Sequence, residues 1–195
     1  MQQLSIPIPP VFKQKFNGKA FSHCLVCEKE LIASGAHYLI EKAVRRYKDY
    51  NSEDIVFEYA ICTDCHQQML VHYSEESLEA MRLFFAEHVD FRLRQDTMRD
   101  MAEKDAFDTG DWIRNCLVKG TPIENLDEYQ MGCECIGDRM IISSMPYIIG
   151  GPAIDELTMQ LSNETIDQMR GLMDKFLGLP PDLRKLLNDS GILIL

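Results

Sequence analysis

Seven cysteines stand in a chain of 195 residues, at positions 24, 27, 62, 65, 116, 133 and 135. The first four form two C-x-x-C pairs, Cys24-Leu-Val-Cys27 and Cys62-Thr-Asp-Cys65. Two intervening residues let the chain turn sharply enough to aim both sulfurs at one ion. Two such turns supply the four thiolates that zinc takes tetrahedrally at about 2.3 Å. One pair alone also fits a thioredoxin-like redox motif; two pairs point to metal. The expectation is one structural Zn2+ on Cys24, Cys27, Cys62 and Cys65, with no position left open for water or substrate. Such a site contributes on the order of 10–16 kcal/mol of apparent binding energy to local folding. Its net negative charge calls for backbone N–H donors and a nearby cation such as Lys29, while His23 and His66 flank the ligands as alternative donors.

The elements that must position these sulfurs are readable from the gap of 34 residues between the pairs. His37–Tyr47 is rich in β-branched and aromatic residues, Lys48–Asp54 is a polar turn, and Ile55–Ile61 is a second strand running into Cys62. From His66 to His72 the pattern is helical. The last two thiolates thus fall at a helix N-terminus, where free N–H groups and the helix dipole favour negative charge. Knuckle, hairpin, then a second pair opening a helix resembles the treble-clef zinc fold, the group that includes LIM-type modules and HNH nucleases. The resemblance covers residues 20–75 and implies a fold rather than an activity. HNH nucleases carry a catalytic His beside an Asp or a second His on the hairpin. Here His37 follows Ala36, and His66 and His72 are six positions apart, not the four that align two ligands on a helix face. The nuclease pattern is not met.

A second group of cysteines lies later. Cys133-Glu-Cys135 precedes a Gly137-Asp138 turn, which predicts a short second β-hairpin. Residues two apart share a strand face. Cys133 and Cys135 can therefore approach one ion, with Cys116 as a third ligand and His88 or an Asp as a fourth. The competing reading is that all three are buried, compact hydrophobes.

Charge divides the chain. Its net charge is −11, yet residues 1–50 carry 8 Lys/Arg against 4 Asp/Glu and the other 145 carry 12 against 27. The acidic total disfavours general coating of nucleic acid. Lys42, Arg45, Arg46 and Lys48, interleaved with Tyr47 and Tyr50, offer a hairpin that grips phosphates and stacks a base. Glu41, Asp49, Glu53 and Asp54 dilute that potential, and alternating charge also protects an exposed edge.

Beyond residue 75 the text is mostly helical. Ser74 caps a stripe of Leu78, Met81, Phe85, His88 and Val89, joined by Phe84, with His88 read as a hydrogen-bonded core histidine. A polar helix follows from Arg92 to Asp105, then a short amphipathic helix through Trp112, Ile113, Cys116 and Leu117. Gly150-Gly151-Pro152 is a turn without the Lys-Ser/Thr of a phosphate loop. Helices follow through Ile154, Leu157 and Leu161, and from the Ser162 cap through Ile166, Met169, Met173, Phe176 and Leu177; Pro180-Pro181 restarts a last one. The apolar ending Ile192–Leu195 suggests docking on the core or self-association. No repeat of 20–50 residues is visible.

The expected architecture is α+β. An extended segment (1–19) leads to a treble-clef zinc module (20–75), packed on a mainly helical, acidic remainder (76–195) with a short second hairpin. No apolar run approaches the roughly 18 residues of a membrane span. The start, MQQLSIPIPP, lacks the order of an export signal, and seven thiols suit a reducing compartment, so the expected location is cytoplasmic. The leading functional reading is a zinc-stabilised interaction protein with a protein partner. The alternatives are a nucleic-acid-associated factor using Arg45 and Arg46, and an enzyme built on Cys116, Cys133 and Cys135, for which no nucleophile–base pair is readable.

Overall fold

The computed structural model describes residues 3–177. Prolines keep the opening extended. Ser5–Pro7 is strand β1, and a 3-10 turn over Pro10–Phe12 buries Phe12 completely. His37–Tyr47 (β2) and Ser52–Cys62 (β3) pair antiparallel from Tyr38↔Cys62 to Tyr47↔Ser52, with a bulge opposite Ala43 and Val44. Asn51, at φ 45°, closes the turn, a left-handed conformation that Asn tolerates. The turn is tighter than the polar run Lys48–Asp54 suggests, because cross-strand pairing recruits Ser52, Glu53 and Asp54 into β3.

Four helices follow: α1 (Thr63–Leu70), α2 (Glu75–His88), α3 (Phe91–Glu103) and α4 (Thr109–Trp112). Ser74 caps α2 by accepting the Ser77 N–H, and His88 Nδ1 bonds the Phe84 carbonyl oxygen at 2.7 Å, the satisfied histidine that the stripe predicts. The helix expected through Cys116 and Leu117 stops at Trp112. Cys116 instead begins a tight turn, with the Gly120 N–H on its carbonyl. Strands β4 (Glu128–Ile136), β5 (Arg139–Ile141) and β6 (Tyr147–Gly150) come next, then α5 (Gly151–Thr158) and α6 (Asn163–Leu177). Ser162 caps α6 as expected, taking the Thr165 N–H at 3.2 Å. The last helix after Pro180 and the apolar ending fall outside the described residues.

The architecture is mixed α+β, but its strands do not divide into a zinc hairpin and a separate later one. They form a single antiparallel sheet in the order β1-β5-β4-β2-β3, with β6 on β4 as well. β4 lies along β2 from Arg45↔Glu128 to His37↔Ile136, while its other edge carries β6 on Tyr129–Gly132 and β5 on Cys135–Ile136. An edge hairpin leaves backbone donors unpaired; the residues of the later hairpin satisfy them here. β2 is consequently internal and buried on both faces.

Register sorts the side chains. Tyr38, Ile40, Lys42 and Val44 share one face with Cys133 and Cys135; Glu41 and Ala43 share the other with Tyr59 and Gly132. The N-terminal segment covers the first face: Lys42 Nζ donates to the Lys13 carbonyl and lies 6.0 Å from the Phe21 ring. Across the second face runs the row Tyr59–Glu41–Gly132–Tyr147. A Cβ on Gly132 would stand 2.8 Å from Tyr147 Oη, so the aromatic ring occupies the space a side chain would need. Arg94 secures the approach to β6: Nε donates to Ser144 O at 2.9 Å, Nη2 to Pro146 O at 2.6 Å, and the guanidinium stacks on Trp112 at 4.7 Å.

Candidate metal centre

Cys24 and Cys27 sit on a knuckle between the N-terminal segment and β2. The Cys24 N–H donates to Lys29 O at 2.9 Å, and the Glu28 N–H returns to Cys24 O at 3.0 Å. Glu28, at φ 59°, supplies the left-handed residue that reverses the chain. Glu30 braces the outgoing loop by accepting the N–H groups of Ile32, Ala33 and Ser34. These donors, led by Ala33 and Ser34, hold its carboxyl below the ordinary range. Cys62 is the last residue of β3 and the N-cap of α1; Cys65 lies in the first turn of that helix. The Leu25 N–H to Ala60 O bond, 2.9 Å, docks the knuckle on β3 and brings the two pairs together.

The four Sγ atoms all lie within 4.8 Å of one another. A tetrahedron with bonds of about 2.3 Å has edges of about 3.8 Å, and Cys27 and Cys62 Sγ are 3.8 Å apart. Cys24, Cys62 and Cys65 are buried and Cys27 is exposed. Donor type, number and spacing therefore fit a four-coordinate thiophilic metal ion. Electrostatics give the same answer. Burial pushes the Cys24 thiol up, but N–H donors from Cys27, Cys62 and Val26 outweigh it and hold it at about 7. Burial pushes Cys62 and Cys65 above the ordinary thiol, and crowding by the neighbouring sulfurs adds to this. Four adjacent thiols resist collective ionisation unless a divalent cation offsets the charge.

His23 turns to Ser22, Nδ1 to Oγ at 2.9 Å, and neither His23 nor His66 belongs to the sulfur cluster. Lys29 pairs with Asp64 at 3.7 Å, an ion pair that links the knuckle to α1. Among the described residues, this is the one group of three or more His, Cys, Asp or Glu ligands that converge. Cys133 and Cys135 do meet, Sγ to Sγ 3.7 Å, wholly buried in the sheet. Cys116 is bonded elsewhere, its Sγ accepting the Lys119 and Gly150 N–H groups at 3.4 and 3.3 Å.

The basic hairpin needs correction. Lys42 is 3% exposed and ion-paired with Glu58 at 2.9 Å, because β4 and the N-terminal segment enclose β2. It is not available to a phosphate. Arg46 Nη1 donates to Ile123 O at 2.6 Å; Lys48 donates to Asn125 O at 3.1 Å and pairs with Asp127 at 2.7 Å. Arg45 is half-buried at the end of the β2–β4 ladder, where its charge acts on Glu128. Much of this charge holds the 123–128 segment to the hairpin.

Sequence reasoning missed Glu41, taken as a charge on an exposed hairpin. It is buried, and its carboxylate accepts the Tyr59 hydroxyl. Burial first, and then the Glu41 carboxylate, push the phenols of Tyr59, Tyr73 and Tyr147 upward. Glu41, His66 and Tyr147 line a cavity of about 120 Å³. The signal was present: two-residue alternation sets Glu41 between Leu39 and Ala43, which a two-sided sheet buries.

No helix among the described residues is long and apolar enough to cross a membrane. Comparison of the chain with protein-family models, curated proteins and solved structures gives no match.

Proposed function

We propose that residues 20–75 form a treble-clef zinc module, with one structural Zn2+ on Cys24, Cys27, Cys62 and Cys65, and that the chain works as a zinc-stabilised interaction protein. The observation that carries this reading is the convergence of four sulfurs, from two turns and two structural elements, to within 4.8 Å. Four protein thiolates complete zinc's coordination, so the ion holds knuckle, hairpin and helix together and has no position for a substrate. An interaction role is supported by large apolar side chains left in water: Phe16, Val71 and Met159 are 97, 80 and 85% exposed. Elemental analysis of protein purified without added zinc tests the metal. The expected result is one zinc per chain, lost together with thermal stability on chelation. A folded protein with no bound metal and no response to chelator overturns the proposal.

A further inference from the structure

The turn at Cys116 copies the knuckle at Cys24. The Cys116 N–H donates to Thr121 O at 2.8 Å and the Gly120 N–H to Cys116 O at 2.8 Å, as Cys24 bonds Lys29 and Glu28 bonds Cys24. Glu28 and Gly120 are both left-handed, at φ 59° and 66°. A bridge closes each turn, His23 with Glu30 and Asn115 with Pro122. Every correspondence is a shift of 92 positions, and both turns begin Cys-Leu-Val.

Both turns dock in the same way. Leu25 N–H bonds Ala60 O, and Leu117 N–H bonds Ile148 O, at 2.9 and 2.7 Å. The Cys62 N–H donates to Cys24 Sγ at 3.4 Å, and the Gly150 N–H to Cys116 Sγ at 3.3 Å. Cys62 and Gly150 each end a strand and cap a helix of eight residues, α1 or α5. From here the shift is 88. The Val71 N–H reaches Gln67 O and Met69 O, while the Met159 N–H reaches Asp155 O and Leu157 O. Ser74-Glu-Glu-Ser77-Leu then matches Ser162-Asn-Glu-Thr165-Ile, opening α2 and α6. These caps bond reciprocally: the Ser74 N–H to Thr165 Oγ1 at 3.0 Å, the Ser162 N–H to Ser77 Oγ at 2.9 Å, and Oγ to Oγ between Ser74 and Ser162 at 2.9 Å. A two-fold operation produces such reciprocity. In the sheet the same axis passes between the paired Glu41 and Gly132, with Tyr59 and Tyr147 as their equivalent outer neighbours.

We infer that residues 115–177 are a second copy of the unit formed by residues 23–89, and that its metal site has been replaced, with Cys116, Lys119, Gly150 and Ala153 standing where the first copy has Cys24, Cys27, Cys62 and Cys65. The inference goes beyond the zinc reading and stands without it, since it rests on backbone geometry. What substitutes for the ion is visible. Lys119, at the second ligand position, carries its own cation and pairs with Glu156 on α5, tying knuckle to helix. Leu126 fills the third position: its Cδ2 lies 2.6 Å from where a Cβ on Gly150 would be.

Putting the ligands back tests the equivalence. The variant K119C/G150C/A153C, with Cys116 native, is loaded with Co2+ beside the wild type. Metal per chain is expected to rise by one, with the absorption of a tetrahedral tetrathiolate. A folded variant whose metal content equals the wild type's overturns the inference. Because Leu126 must move to admit G150C, K119C/A153C supplies a metal-independent readout. Its two new thiols replace the counterparts of Cys27 and Cys65, whose Sγ atoms lie within 4.8 Å. Diamide should join them, two S–H groups becoming one S–S as the hydrogens pass to the diamide. Full alkylation of both positions after diamide overturns the inference too. Absence of metal from the wild type would refute the zinc proposal and leave this second test intact.

Discussion

Replacing Cys62 by Ser is the sharpest perturbation of the centre. The side chain is 2% exposed, ends β3 and caps α1, and its N–H donates to Cys24 Sγ. Serine keeps the backbone donor and nearly the same volume, so the change falls on the sulfur. Three thiolates remain around an ion that prefers four. Zinc present at about a thousand times its dissociation constant stabilises the folded state by about 4 kcal/mol. For a chain of this size each kcal/mol moves Tm by about 2–4 °C, so Cys62→Ser should lower Tm by about 8–16 °C. The loss should not stay within residues 20–75. β4 pairs with β2 along its whole length, so amide exchange should quicken in β4 together with β2 and β3. Zinc per chain, thermal unfolding by circular dichroism and exchange by mass spectrometry read the three consequences. Cys133→Ser is the control, a cysteine equally buried but outside the cluster; it should lose stability from burying a hydroxyl and keep its zinc. Cys62→Ser protein with full metal content and a Tm within about 2 °C of the wild type would refute the ligand assignment.

Gly132→Ala forces the Tyr147 ring from a position 2.8 Å from the new Cβ and should cost about 1–3 kcal/mol as overpacking. A lower urea midpoint at constant slope would register this, and an unchanged midpoint would mean that the ring yields freely. Lys42→Met strands Glu58, which keeps the Lys15 N–H and partial exposure, so the expected loss is about 2–3 kcal/mol. K42M/E58Q should recover most of it; a double variant no more stable than Lys42→Met would show that the ion pair is not the cause. The phenols of Tyr38, Tyr59, Tyr73, Tyr129 and Tyr147 are raised by burial first, Tyr129 to about 12. A group whose folded pKa is raised lends stability below its unfolded value of about 10 and withdraws it as pH climbs further. Absorbance near 295 nm should therefore show these five of the seven phenols protonated to about pH 11 and ionising as the protein unfolds. Ionisation of more than two phenols per chain in the native protein below about pH 10 would contradict their burial, since only Tyr47 and Tyr50 are exposed among the described residues.

The four-cysteine cluster was legible because coordination chemistry is local in sequence. A sharp turn needs two residues between ligands, and Cys24/Cys27 and Cys62/Cys65 meet that condition without help from the rest of the fold. The caps at Ser74 and Ser162 and the histidine on the Phe84 carbonyl were legible for the same reason. What failed was long-range. Nothing near Lys42 announces that β4, some ninety positions later, will close over β2. Lys42 and Glu41 therefore read as surface charges when they are enclosed on opposite faces of one strand. The helix assigned through Cys116 failed because Trp112, Ile113, Cys116 and Leu117 have helical spacing, while Gly120, at φ 66°, and the docking of Leu117 on β6 impose a turn.

The duplicated architecture is hidden in the sequence for a related reason. A repeat is sought as recurring side chains, yet here three of the four most recognisable ones, Cys27, Cys62 and Cys65, have no cysteine counterpart in the second copy. What recurs is the set of backbone duties: a left-handed residue four positions after the first cysteine, an N–H on its sulfur, a hydroxyl cap opening the next long helix. Glu28 and Gly120 perform the first duty with unrelated side chains, and Cys62 and Gly150 the second. The two copies also had to diverge where they meet. Paired across the axis, Glu41 and Gly132 could not both be large, because the Tyr147 ring fills the space above Gly132 and Tyr59 engages Glu41. A buried carboxylate among phenols therefore faces a glycine across the axis, because the closely packed centre of the sheet has room for one large side chain there.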